Sequence, residues 1–230
     1  MSIATPPPKG LRASPRSVGE TRIAVRSVPF STYELWVDSL PPQSSVRMAY
    51  DGRDLEVMTK GLKHEDFRQL LGLIINHTCL EIGIAHKSLG ETTWKRVTLA
   101  RGIEADQAYY FSREKLAKAA AAKASGSDEI ADYPNPDLAI EVDISPPLVD
   151  RPGIYAALQV PELWRFDGET LTFENLGPDG RYLPAPASRW LPLRPDQVVP
   201  WLVEEDSSDE TAWARRLRAW IRENLATERP

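Results

Sequence analysis

The sequence predicts a mixed α/β (α+β) domain with an added C-terminal helix. Three observations carry that expectation. Residues 62–82 repeat apolar side chains at helical spacing, residues 137–144 alternate with the period of a strand, and short β-prone runs lie around both. At 230 residues the chain is one domain, or one domain with additions.

Composition narrows the function. The chain is 42% hydrophobic and 27% charged, and no apolar run approaches the ~20 residues of a membrane span. The first twenty residues have no apolar core, so a secretory signal is not expected. Cys79 is the one cysteine, which excludes a disulfide framework and a cysteine-rich zinc site. A reducing, cytoplasmic setting is the expectation. The net charge of −5 argues against a protein that coats nucleic acid by bulk positive charge, while leaving room for a local basic groove.

The elements follow in order. Residues 1–28 are rich in Pro, Ser and Arg without apolar periodicity, and read as a flexible tail with four arginines and one lysine. A helix is expected from Phe30, with Ser31 and Glu34 at capping-box spacing. Residues 46–50 and 54–58 flank Asp51-Gly52, a hairpin signal. The helix at 62–82 carries Phe67, Leu70, Leu71, Ile74, Ile75 and Cys79, with Gly83 as its C-cap. Short strands are expected across 86–111, then a solvent-facing helix over 112–125 and a polar loop over 126–136. A short helix at 152–159 leads to hairpin strands at 162–167 and 170–175. About residues 209–226, Trp213, Leu217, Trp220, Ile221 and Leu225 form one stripe, for docking on the body or on a partner.

The chemistry concentrates in 137–144. On a strand Leu138, Ile140, Val142 and Ile144 face one way, and Asp137, Ala139, Glu141 and Asp143 the other. Carboxylates sharing a face repel unless solvent or a cation intervenes, and Mg²⁺ takes one or two carboxylates plus water and phosphate. A solvated acidic face reads equally well. A second acidic patch, Glu104 and Asp106, enters the strand that starts at Gln107. Asp106 and Glu141 would then be acids on neighbouring strands, suited to holding a metal against a phosphate.

Five stretches in this order carry a resemblance: Leu55-Glu56-Val57-Met58 with His64-Glu65; Ser88 to Lys95; Leu99 to Asp106; Pro136 to Ile144; and Ile154 to Trp164. Over roughly residues 30–205 the chain resembles the Uma-two family of restriction endonucleases, in the PD-(D/E)XK nuclease superfamily. The resemblance implies a restriction-endonuclease-like mixed central sheet flanked by helices, with that domain at 29–206 and the amphipathic helix at 207–230. Asp106 takes the family's first acid, with Ala105 where a proline usually precedes it, and Glu141 takes the second. Position 143, where the superfamily carries a lysine, is Asp. In the family a basic residue on the following helix fills that role, and Arg151, four residues before Tyr155, matches it. Arginine stays charged and can supply only electrostatics.

The expected function is a cytoplasmic, metal-dependent endonuclease acting on nucleic acid, with DNA the expected polymer. Asp106, Glu141 and the Val142 carbonyl would hold Mg²⁺ or Mn²⁺. Arg151 would stabilise charge on the phosphate, Asp143 would serve as a third ligand or partner to Arg151, and His64 would touch phosphate or orient a water. Lys95, Arg96 and Arg101 are the candidate contacts to the nucleic-acid backbone. Two rival readings stand beside this one. The first is a catalytically silent nuclease-fold module that binds nucleic acid or protein. The second is a structural homodimer built on the tryptophan stripe.

Overall fold

The computed structural model describes residues 20–41, 44–203 and 205–225. Its eleven strands, counted among the described residues, form two sheets. One is five-stranded and antiparallel: β1 (Thr21–Val25), β3 (Leu55–Thr59), β2 (Val46–Tyr50), β6 (Arg101–Glu104) and β5 (Thr93–Arg96), in that spatial order. The other is six-stranded and mixed: β11 (Tyr182–Ala185), β10 (Leu171–Leu176), β9 (Glu162–Phe166), β8 (Leu138–Val142), β7 (Gln107–Tyr110) and β4 (Lys87–Ser88). Its parallel pair is β8 with β9, and the right length of chain to cross between them is supplied by α4 (Arg151–Ala157). The mixed sheet is the expected one; the antiparallel sheet beside it is an addition to the expectation.

The long helix α2 (Leu62–Ile82) covers one face of the mixed sheet, and Gly83 ends it in the left-handed conformation at φ 76°. Phe67, Leu70, Leu71, Ile74 and Ile75 pack on Leu138, Ile140 and Val142. The alternation read from the sequence therefore assigns those three to the α2 side. Ala139 faces a second core with Ile154, Tyr155 and Leu163. Both faces of β8 are buried, so its acids stand in the interior rather than on a solvated face.

The C-terminal helix α6 (Glu210–Asn224) docks on the body. Trp213, Leu217, Ile221 and Leu225 join the α2 core together with Trp201 of α5 (Pro195–Val203), and Trp213 Nε1 donates to the Trp201 carbonyl at 3.2 Å. The stripe that the dimer reading required is spent inside the chain. Among the described residues no helix is long and apolar enough to cross a membrane.

Three expectations need correction. The expected tail ran to residue 28, yet Thr21–Val25 is a strand paired with β3; residues 1–19 lie outside the described part. Its alternation is inverted, with Ile23 exposed and Arg22 turned inward, which hid it from apolar periodicity. The helix α1 (Phe30–Ser39) starts after Pro29 with no side-chain cap, so the Ser31/Glu34 capping box is not formed. Tyr33 of α1 lies so close to Gly102 that a side chain there would clash, which fixes the helix against β6. Finally α5 and β11 had no counterpart in the sequence reading, and both carry prolines, Pro195 and Pro200 in α5 and Pro184 in the edge strand β11.

Candidate active site

Only Ala105 and Asp106 separate β6, in one sheet, from β7, in the other. The crossing between sheets therefore delivers Asp106 to the seam, where the strand register sets it beside Glu141 of β8. Asp106 Oδ2 accepts the Val142 N–H at 2.8 Å, extending the ladder just before β7 begins. The same oxygen lies 3.0 Å from His64 Nε2, at the start of α2. An ionised carboxylate only accepts, so Nε2 carries that hydrogen. Its other oxygen, Oδ1, lies 2.7 Å from Lys60 Nζ.

Glu141 is held from α4. Arg151 Nη1 lies 2.8 Å from Glu141 Oε2 and 3.2 Å from Asp143 Oδ1, while Tyr155 Oη donates to Glu141 Oε1. Asp150 caps α4 through the Gly153 N–H at 3.0 Å and Pro152 sets its first turn, so Arg151 and Tyr155 stand one turn apart facing the strand. From β1, Arg22 reaches Glu56 at 3.0 Å and Asp143 at 2.8 Å. Glu20 accepts from the Ser145 N–H at 2.9 Å and lies 3.8 Å from His64.

The site is buried: Asp106 is 0% exposed, Glu141 and His64 1% and Arg151 3%. Burial alone would raise the carboxyl of Asp106, but Lys60, His64 and Arg151 outweigh it and hold that acid well below its ordinary value. Glu141 goes the other way. Burial raises it, and the charges of Asp106 and Asp143 add to that against Arg151. Burial also pushes the Tyr155 hydroxyl well up, so it remains a donor. Lys60 sits above its ordinary value because Asp106, Glu91 and Glu65 offset its burial.

The sequence reading named Asp106, Glu141, Asp143, Arg151 and His64, and the structure brings all five together. It missed Glu20, Arg22, Glu56 and Lys60. Glu56 left a trace, as a lone acid inside the apolar run Leu55-Glu56-Val57-Met58, and Glu20 with Arg22 have same-face strand spacing. Lys60 left none. Glu104, expected beside Asp106, instead pairs with Arg47 at 2.6 Å. Asp137 is spent on structure, accepting the Phe111 and Ser112 N–H groups at 2.8 and 2.7 Å.

The three basic candidates do not join the acids. Arg101 is five residues from Asp106 along an extended chain, roughly 16 Å, and Lys95 and Arg96 pair across from Gly102 and Arg101. Lys95 lies 2.8 Å from Asp38, Arg96 donates to the carbonyls of Ile130 and Tyr133 at 2.8 and 2.7 Å, and Arg101 donates to the Ala100 carbonyl at 3.0 Å.

A hard divalent ion asks for oxygen ligands and negative charge. Glu20, Glu56, Asp106, Glu141 and Asp143 gather around Arg22, Lys60 and Arg151, an all-oxygen donor set whose acids outnumber its permanent cations. Among the described residues no group of three or more His, Cys, Asp or Glu is arranged to hold a metal ion. Two carboxylates with water and phosphate suffice for Mg²⁺, so the residues fit the ion.

Residues 31–205 match the family model Uma2, described as "Putative restriction endonuclease". The chain belongs to the Uma2 family. Its members are classed as nuclease-type hydrolases, and the two-sheet, helix-flanked architecture is consistent with the restriction-endonuclease-like fold. No curated protein and no solved structure matches the chain. The Uma2 match spans the described site from Glu56 to Tyr155, while β1, with Glu20 and Arg22, lies before it.

Proposed function

We propose that this Uma2 protein is a metal-dependent endonuclease that hydrolyses phosphodiester bonds in nucleic acid, with DNA its polymer. The observation that carries the reading is the pair Asp106 and Glu141, which the register of β7 on β8 sets side by side, with the Val142 N–H donating to Asp106.

Asp106, Glu141 and the Val142 carbonyl would hold Mg²⁺ or Mn²⁺. When bound, the ion polarises the scissile phosphate and acidifies a water. Arg151, clamped between Glu141 and Asp143, offers permanent charge to the phosphate. Asp143 serves as the partner that holds Arg151 and Arg22. His64 fixes the orientation of Asp106 through Nε2. Contacts to the nucleic-acid backbone by Lys95, Arg96 and Arg101 belong to the same reading; Arg96 is the most committed of the three to its own chain.

The test is cleavage of supercoiled plasmid and single-stranded DNA with Mg²⁺, Mn²⁺ or chelator. Metal-dependent nicking is expected, lost in Asp106→Asn and Glu141→Gln. Parent-like cutting by either variant would overturn the assignment. One observation favours a second reading: the oxygens of both acids already face protein cations or donors. A silent binding module would retard DNA on a gel under every metal and never cut it.

A further inference from the structure

A pocket of about 530 Å³ opens where the parallel strands β8 and β9 end, within the roughly 300–1,000 Å³ of small-ligand sites. The carboxyl ends of parallel strands are where open α/β sheets take their ligands. Ile144, Pro146 and Pro147, which follow β8, give the pocket an apolar wall, and Lys63 of α2 and Arg165 of β9 bring two cations to it. It shares Asp143 with the candidate active site. Of the acids around Arg151, Asp143 has the most exposed side chain, 10% against 1% for Glu141 and Glu56. The buried centre thus meets solvent on the side where this pocket lies.

Lys63 is exposed and makes no ion pair among the described residues, and its ammonium lies 5.6 Å from the Phe67 ring centroid. Gly168, at φ 99°, keeps the corner open, since a Cβ there would meet Ile144 at 3.2 Å and the Lys63 ammonium at 3.9 Å. Arg165 lies 3.4 Å from Glu174 with 38% of its side chain exposed. Two of the pocket's acids are spent. Asp143 faces Arg22 and Arg151, and Asp167 Oδ1 accepts the Glu169 and Thr170 N–H groups at 2.9 and 2.7 Å. Glu169 itself stands exposed there.

We infer that this pocket is the strand-binding subsite of the nuclease: Lys63 and Arg165 hold a backbone phosphate of the nucleic acid beside the scissile one, with its sugar and base against Ile144 and the two prolines. This deepens the nuclease reading and rests on it. Cations on a phosphate give affinity and register without reading sequence, and the apolar wall accepts any base. Glu169 opposes the phosphate, so the subsite holds its strand less tightly than its two cations alone would. Lys95, Arg96 and Arg101, the backbone contacts expected from sequence, line no part of it.

The experiment measures binding of a short fluorescent single-stranded DNA by anisotropy, in chelator and across a KCl series, for the full chain and its Lys63→Gln, Arg165→Gln and Glu169→Gln variants. Lys118→Gln is the control, since Lys118 pairs with Glu114 at 2.7 Å and is no part of the pocket. Lys63→Gln and Arg165→Gln should each weaken binding by about 5–10-fold and reduce the slope of log K against log salt by about 0.7, the share of one contact on a single strand. Glu169→Gln should tighten binding, and Lys118→Gln should bind like the parent. With Mg²⁺ present, Lys63→Gln should raise KM for cleavage and leave kcat within about twofold, as loss of uniform binding does. A parent that binds no DNA, or Lys63→Gln and Arg165→Gln variants with the parent's affinity and salt slope, overturns the inference. If the parent cuts and both variants keep its KM, the subsite falls while the nuclease reading stands. If binding drops in both variants but the parent never cuts under Mg²⁺ or Mn²⁺, the nuclease reading fails and the strand-binding pocket remains.

Discussion

Arg22 and Arg151 bring guanidinium nitrogens to one and the same oxygen, Asp143 Oδ1, at 2.8 and 3.2 Å. One arginine comes from the first described strand and the other from the helix after β8. Sharing a carboxylate makes their contributions dependent on each other. A double-mutant cycle of Arg22→Met and Arg151→Met, followed by urea unfolding, should give an interaction free energy of about 1–2 kcal/mol. Simple additivity would mean that the shared oxygen is not a link between them.

The strand β1 is predicted to be a structural part of the site. Deleting the chain through Val25 removes Arg22 from Glu56 and Asp143, leaving those buried acids short of a partner. An uncompensated buried charge costs about 3–5 kcal/mol. The melting temperature should therefore fall by on the order of 10 °C. A melt unchanged by the deletion would show that β1 contributes nothing there.

Asp137 should set an acid limit on stability. Burial opposes its charge, but the N–H groups of Ser112 and Phe111 and the ammonium of Lys115 hold its carboxyl below the ordinary 3.8. Because the folded value is the lower one, the stabilisation is full above about pH 4 and fades as pH drops through the folded value. Asp137→Asn should cost about 2–3 kcal/mol in urea at pH 6, and the gap to the parent should narrow below pH 4. A gap that stays constant down to pH 3 would contradict this.

Trp213 is wholly buried between α2 and α5. Trp213→Ala should lower stability in guanidinium by about 3–5 kcal/mol. Sedimentation should give the same mass for parent and variant wherever both are folded, because the stripe packs within the chain. A dimer lost on substitution would revive the structural-dimer reading.

Local pattern made much of this molecule legible. Helix 62–82 follows from its apolar spacing and Gly83, and strand 138–142 from strict alternation, because in both the core side repeats along a single element. Glu141 stood out by the same alternation, whereas Asp106, in the link before β7, was singled out by the neighbouring acidic patch and the family resemblance. What escaped has no local period. Lys60 lies in the short link between β3 and α2, and its neighbours Asp106 and Glu91 are far along the chain. Arg22 was hidden by an inverted strand whose apolar residues face water and whose charge faces the interior. The paired sheets were likewise beyond reach, since the change of sheet at Ala105–Asp106 looks from sequence like one continuous run of β-prone residues.

The hydrogen bond from Arg22 to Asp143 spans 121 residues. On a ribosome, Arg22 is made on the order of ten seconds before the carboxylate it will meet, at about 5–20 residues per second. The β1 segment thus cannot finish its contacts until β8 and α4 have followed it out of the tunnel. The candidate site closes late in synthesis, and a nascent chain that has emerged only through α2 and the antiparallel sheet holds half of it with its charges still in water.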